Sequence, residues 1–462
     1  MIRDLRHYRL IPITPIHVGD GNELDPTQYV INGRRLERFD PVATIAALTG
    51  REKRDYLHAL NEGELSQAQR ILQKSASHGE TAMVSLLSDR STRELQQALE
   101  NPNRRGSFKT MIRSGGRAIV PGSTLKGALR TGFLHLEFAR RGISPDEILG
   151  LIEDPRRTGK ASDRLQQLAF SFPAGGTERD PMRDVAVSDA APEENATQID
   201  QVVDWKRDRD GDFAVPDQQF QLHVERLLCL ADQSGDRKIA PISVSIAVTS
   251  PQTLTQRRAL EGEHGRSGPE NSPNFAALLR GANAHHVAVW KRERQKFFSG
   301  PSGQYTARLL DACLAPLGMA DLDTLARDET PRRALIRLGW AGHFEAKSIA
   351  AVRQGYRPQA RGEKTAQFGS TRHGIVLNGV FVPFGWAALV PEEEVPANFS
   401  SGALPTAGER QERLVQGPPR RGDKVFYEGE LAIIRDIAEG QARIEFDGGD
   451  IEWVPLDKLK RT

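Results

Sequence analysis

Between Arg117 and Arg140 the chain changes period in a way that leaves few options for its local fold. Arg117-Ala118-Ile119-Val120 reads as a short strand, Pro121-Gly122 as a turn, and Ser123 as the N-cap of a helix running to about Arg140. Leu125, Ala128, Leu129, Phe133 and Leu136 recur at helical spacing and make its buried stripe. Lys126 and Arg130 are four apart and project together from another face. Gly127 and Gly132 carry no Cβ, so another backbone can come close. A helix that starts directly after such a turn leaves N–H groups unpaired at its positive end, and the donors and the dipole together favour phosphate. A nucleotide P-loop needs Gly-x-x-x-x-Gly-Lys-Ser/Thr, and the order Gly122-Ser123-Thr124-Leu125-Lys126-Gly127 does not supply it.

The charge around this stretch points to a polyanion. Overall the chain is nearly neutral, with 63 Lys and Arg against 61 Asp and Glu. From Asn101 to Arg130, however, there is no acid, and Arg104, Arg105, Lys109, Arg113, Arg117, Lys126 and Arg130 give seven positive charges. From Pro331 to Arg372 nine cations face only Glu345 and Glu363. Acidic stretches at 178–212 and Glu392–Glu394 offset both in the total. Two local basic surfaces on a near-neutral protein fit a polyanion groove with a solvated remainder. The second window holds Arg337-Leu338-Gly339-Trp340-Ala341-Gly342-His343-Phe344-Glu345-Ala346-Lys347, where Trp340 or Phe344 either stacks on a base or joins the core.

At 462 residues the chain is too long for one ordinary core, and 42 Gly with 27 Pro imply many turns and short elements. Arg6 to Thr14 alternates as an opening strand. Tyr29 to Phe39 reads as a hairpin turning at Asn32-Gly33, and helical patterns follow from Pro41 to Leu99, broken at Gly50 and Ser77–Gly79. Residues 172–216 lack periodicity until Val202-Val203 and read as an insertion. Ile242 to Val248 is a strand, Phe275 to Phe298 a helix, Asp321 to Arg333 another, Ala334 to Trp340 a strand, and Asn378-Gly379 a hairpin turn. Two successive sets of strands and helices suggest an α+β fold of two ferredoxin-like domains, 1–235 (with the insertion at 173–217) and 236–390. Residues 391–421 form a linker, and 422–462, with four or five short strands and tight Gly turns, a small SH3-like β-barrel.

Nothing points to catalysis or a metal. His17 suggests general acid–base chemistry, but it has no second His or Lys nearby in sequence. His285-His286 lacks a third ligand, and no zinc cluster, nucleophile elbow or dinucleotide fingerprint is present, so no cofactor is expected. Cys229 and Cys313 lie in apolar surroundings and read as buried thiols of a reducing cytoplasm. No apolar run approaches the roughly 20 residues of a membrane span, and the start of the chain lacks a signal-peptide core, so a soluble cytoplasmic protein without membrane partners is expected.

Several stretches in order resemble the RAMP superfamily of type III CRISPR systems, most closely the fifth subunit of the type III-A Csm complex. These are Thr14-Pro15-Ile16-His17-Val18-Gly19 with Tyr29 and Phe39-Asp40, Ile119 to Arg130, Asp184-Val185-Ala186-Val187-Ser188-Asp189, Arg337 to Lys347, Gly369-Ser370-Thr371-Arg372 and Pro383-Phe384-Gly385-Trp386. The resemblance spans residues 1 to about 390. It departs at His343 and Phe344, where a more Gly-rich turn is usual, and at the terminal barrel, which is not part of the usual subunit. It implies two modified ferredoxin-like domains of RRM type and a non-catalytic subunit holding the 3′ part of the CRISPR RNA, capping the backbone and assisting maturation. The implied partners are CRISPR RNA, target RNA, the backbone RAMP subunit, the small subunit and host nucleases. The residues expected at the RNA are His17, Gly19, Gly122, Ser123, Thr124, Lys126, Gly127, Arg130, Arg337, Trp340, Lys347 and Arg372. Two alternatives remain. One is a metal-independent CRISPR RNA endoribonuclease, with His17 as base and Lys126 or Arg130 steadying the phosphate. The other is a general RNA-binding scaffold.

Overall fold

The opening strand, Arg3–Pro12, runs through the middle of the main sheet of a computed structural model. The structure describes residues 3–76, 83–101, 106–148, 161–170, 180–254, 273–348, 369–395 and 421–461, apart from 27, 145, 194–195, 208–211, 217–221, 233–238, 252, 423, 428–429, 439–440, 447–449 and 457–459. The sheet order is Ala334–Arg337, Trp386–Pro391, Arg3–Pro12, Ile242–Thr249, Val185–Val187, antiparallel throughout. Its centre is buried on both faces. Leu10 and Leu389 point into one hydrophobic core, and Ile11 and Ala388 into the other. That is why Trp386–Pro391 reads as a continuous apolar run while Ile242–Thr249, half covered, alternates.

The helices Gly122–Arg140 and Phe275–Phe297 pack together over one face, and both run close to the lengths expected. Their backbones touch where Gly132 meets Gly281. A Cβ on Gly132 would lie 2.4 Å from the Ala282 nitrogen, so a side chain there would force the helices apart.

A seven-stranded mixed sheet runs Gly19–Leu24, Phe108–Met111, His223–Leu227, Thr197–Gln201, Met83–Leu87, Arg35–Arg38, Tyr29–Asn32. A four-stranded sheet runs Phe213–Ala214, Val203–Arg207, Thr371–Leu377, Val380–Pro383. The fold is mixed α+β. Strands from both sides of residue 235 share the central and the four-stranded sheets, so that boundary does not separate sheets.

Several local expectations need correction. Residues 173–217 are not a detachable insertion in their described part, because they supply strands to three sheets. These strands span two to five residues, and Thr197–Gln201 is buried at every position, so no alternation marks them. The helical pattern does break where expected: Pro41–Ala47 ends before Leu48-Thr49, and Gly50 opens Gly50–Asn61, whose start Thr49 and Glu52 close with a capping box. The strand Met83–Leu87 and the helix Gly303–Leu314 were not anticipated, and the helix expected from Asp321 spans only Leu322–Arg327. The first hairpin pairs Asn32 with Arg35, so its loop is Gly33-Arg34, one residue later than read. The break at Ser77–Gly79 and the linker from 396 to 420 lie outside the described residues.

At Asn378-Gly379 the turn is as expected, with φ of 48° and 78° at its two central residues. The C-terminal strands form one antiparallel sheet in the order Ile451–Pro455, Gln441–Phe446, Glu430–Ala438, Lys424–Tyr427, Lys460–Arg461, around Val425, Ile434, Ile444 and Val454. Cys229 and Cys313 are both buried, in the core that holds Ile11 and Ala388.

Candidate nucleic-acid interface

Three segments distant in sequence meet around a cavity of about 640 Å³. The turn after the opening strand supplies His17 and Gly19, and the first turns of Gly122–Arg140 supply Ser123, Thr124, Gly127 and Thr131. The loop after Ala334–Arg337 supplies Trp340 and Lys347. Backbone hydrogen bonds lock the first and third together. The Trp340 N–H donates to the His17 carbonyl at 2.8 Å, and the Gly385 N–H to the Pro15 carbonyl at 2.7 Å. Gly339, at φ 72°, has its Cβ position 2.4 Å from the His17 carbonyl oxygen, so no other residue fits there.

Among the described residues the lining contains no Asp, Glu or Cys. Its exposed charge comes from Lys347 and the half-buried Lys109, whose ammonium lies 6.0 Å from the centre of the Trp340 ring. Lys109 was part of the acid-free window but had not been singled out. Its strand, Phe108–Met111, carries it and Thr110 to the cavity wall. Trp340 is half-buried and backed by a column of rings. His373 stacks on it at 5.5 Å and 14°, and His343 stacks on His373 at 5.4 Å and 17°. Asp204 holds His373 at 2.7 Å. Trp340 therefore offers a supported aromatic surface beside the Lys109 ammonium, with Lys347 lining the same cavity, which suits stacking on a base next to phosphates.

His17 is buried, and its Nδ1 lies 2.5 Å from the Glu225 carbonyl oxygen. Burial pushes its pKa below the usual range, outweighing the Glu225 contact that would raise it. The ring is neutral at pH 7.

The loop carrying Trp340 holds two non-glycine residues in the left-handed region, Ala341 at φ 56° and His343 at φ 54°. Beneath it lies a buried ionic network. Glu293, on the Phe275–Phe297 helix, accepts from Arg337 at 2.8 Å, Arg372 at 2.5 Å and the Trp386 indole at 2.9 Å. Glu345 accepts from Arg372 at 3.0 Å and the Gly369 N–H at 2.7 Å. Burial alone would raise the Glu293 pKa, but Arg337 and Arg372 outweigh it and hold the carboxyl below the usual range.

This network corrects the expectation for Arg372, which is 0% exposed, ion-paired and not part of the cavity lining. Arg337 does line the cavity, but its side chain is also 0% exposed and paired with Glu293. Lys126 and Arg130 also fall elsewhere. They lie on a different face of the helix from Ser123, Thr124 and Gly127 and do not line the cavity. Arg130 donates to Asp180 at 3.0 Å and to Gln166 at 2.9 Å, and stands 5.4 Å over the Phe170 ring. The cleavage alternative therefore loses the cations assigned to its phosphate.

The helix start also differs from the reading. The N-cap is Pro121, not Ser123, and the Gly122 N–H donates to Asp189 Oδ1 at 2.8 Å. A carboxylate of this chain already occupies one donor expected to hold phosphate, in keeping with the dipole. Gly122 itself serves close packing, since a Cβ there would lie 2.2 Å from the Val187 carbonyl oxygen. His285 stacks on His135 at 4.2 Å, and among the described residues no group of three His, Cys, Asp or Glu is placed to hold a metal. No described helix is long and apolar enough to cross a membrane.

A mixed α+β fold holds this cavity between its first turn, a Gly-rich helix start and a late aromatic loop. Residues 9–227 match the model of the RAMP superfamily. The chain is similar in fold to one from a cryo-EM structure of a Csm–crRNA–target RNA ternary complex of a type III-A CRISPR-Cas system. The two share 15% identity, with 84% of this chain and 100% of that one covered, at a TM-score of 0.56. It is also similar to the crystal structure of T. onnurineus Csm5, at 17% identity over 83% of this chain and 99% of that one, with a TM-score of 0.51. No curated protein sequence matches it.

Proposed function

We propose that this chain is a CRISPR RNA-binding subunit of a type III-A Csm interference complex, and that RNA lies in the cavity between His17, Ser123-Thr124, Lys109, Trp340 and Lys347. The observation that carries the proposal is the lining itself: among the described residues no carboxylate, two lysines and a backed tryptophan, assembled from three stretches that resemble the RAMP pattern and the strand that carries Lys109. Lysines match phosphates and the indole a base, the combination by which single strands are held. The RAMP match and the two structural likenesses support the choice of complex. In this reading the chain is cytoplasmic, caps the backbone at the 3′ part of the guide and assists its maturation by recruiting nucleases, while breaking no bond itself. The backbone RAMP subunit, the small subunit and target RNA are its neighbours. Two interleaved units of modified ferredoxin-like type lie within residues 1–390, and 422–462 form an appended SH3-like barrel.

The test is a titration of purified full-length protein with labelled single-stranded repeat RNA at several salt concentrations. Trp340→Ala should weaken binding by about 1–3 kcal/mol, the usual worth of one stacked base. Unchanged affinity in a folded variant would remove the cavity from the RNA path. Cleavage of that RNA by the protein alone, lost in His17→Ala, would replace the binding-only reading with the endoribonuclease.

A further inference from the structure

We infer that His17 is the group by which this cavity distinguishes RNA from DNA, its Nε2 accepting a hydrogen bond from a ribose 2′-hydroxyl. This deepens the RNA-binding reading above and rests on it. The tautomer follows from the neighbour of Nδ1. The Glu225 carbonyl oxygen, 2.5 Å away, can only accept, so Nδ1 carries the proton and Nε2 of the neutral ring carries the lone pair. The residue is 2% exposed and lines the cavity, and its ring meets Trp340 edge-on at 6.1 Å and 87°. Nε2 is thus a fixed acceptor beside the surface assigned to the base.

Gly19 keeps that nitrogen open. A Cβ at this position would lie 2.8 Å from Nε2, and the ring cannot swing aside without leaving Glu225. Phosphate oxygens only accept, so they turn away from Nε2 and towards Lys109 and Lys347. What remains of a nucleotide beside its base is the sugar. Ribose brings an O–H there, whereas deoxyribose brings only C–H and leaves a desolvated acceptor without a partner.

Full-length protein titrated with three single strands of one sequence, as RNA, 2′-fluoro RNA and DNA, tests this directly. The 2′-fluoro strand keeps the ribose-type pucker and removes the donor. Wild type should prefer RNA over 2′-fluoro RNA by about two- to tenfold, the worth of one net hydrogen bond. His17→Phe, which keeps a ring and lacks the acceptor, should lose that preference. His17→Gln, whose amide oxygen can stand near the Nε2 position, should recover part of it. Gly19→Ala covers Nε2 with His17 intact and should behave as His17→Phe does, which keeps the test open if the latter fails to fold. Equal affinity of wild type for RNA and 2′-fluoro RNA overturns the inference, as does a preference that survives in a folded His17→Phe or Gly19→Ala. Equal weakening on all three strands would make the ring a structural part only. Failure of wild type to bind any strand would instead overturn the RNA-binding reading itself.

Discussion

The two polar faces of the Gly122–Arg140 helix look alike in sequence and differ in what they do. One turns Ser123, Thr124, Gly127 and Thr131 to the cavity and carries no charge. The other carries the stretch's two cations, and Arg130 there is matched by Asp180 and Gln166. The same division recurs in the late loop, where Arg337 serves Glu293 inside and Lys347 is exposed. In the late loop the arginine is ion-paired inside the protein and the lysine is exposed, while on the helix Lys126 and Arg130 both lie away from the cavity. Arginine's planar fork satisfies buried carboxylates from several directions, whereas lysine is a compact charge that stays hydrated. Density of positive charge along a sequence therefore says little about which charges remain for a ligand.

The comparison breaks most visibly at the buried network. Glu293→Ala would leave Arg337 and Arg372 without their shared carboxylate, and unfolding in denaturant should show a loss of about 3–5 kcal/mol. A loss below about 1 kcal/mol would mean the network does not hold the loop. Next comes the helix's buried side, where His286 Nε2 lies 3.4 Å from the Ala128 carbonyl oxygen. Burial lowers its pKa to about 3, against about 6.5 when unfolded, so the folded state favours the neutral ring. Acid protonates the unfolded chain first. Stability should therefore fall as pH drops below about 6.5, by roughly 1.4 kcal/mol per unit from this ring, until about pH 3. Unfolding midpoints at pH 7 and pH 5 should converge in His286→Gln relative to wild type, and an unaltered gap would assign the acid sensitivity elsewhere.

The lysines give a sharper contrast between the faces. Lys109→Ala with Lys347→Ala should reduce the slope of log affinity against log salt by about 1.4, or about 0.7 for each lost phosphate contact on a single strand. Lys126→Ala with Arg130→Ala should leave that slope where it was. If the second pair moves the slope and the first does not, the RNA follows the other face. The smallest expected effect is on stability in Arg130→Ala, about 1 kcal/mol for a partly exposed ion pair, read from thermal melting.

Much of this protein was legible along the chain because the signals are local. Alternation over Arg6 to Thr14 and Ile242 to Val248 marks strands found at Arg3–Pro12 and Ile242–Thr249, helical spacing marks the helices Gly122–Arg140 and Phe275–Phe297 to within a residue or two, and Asn378-Gly379 marks its turn. The segments carrying His17, Ser123-Thr124 and Trp340 were also named in advance, and Gly127 and Lys347 with them. Their meeting at one cavity, and the partner of each charge, came only with the tertiary structure. Asp189 reaches Gly122 across 67 positions, Glu293 reaches Arg337 across 44 and Arg372 across 79, and Glu225 meets Arg113 across 112. Periodicity reports which face of an element is buried, because that follows from backbone geometry within a few residues. It carries no record of which carboxylate the fold will bring to that face, since such pairs are made by sheet order and helix crossing rather than by neighbours in the chain.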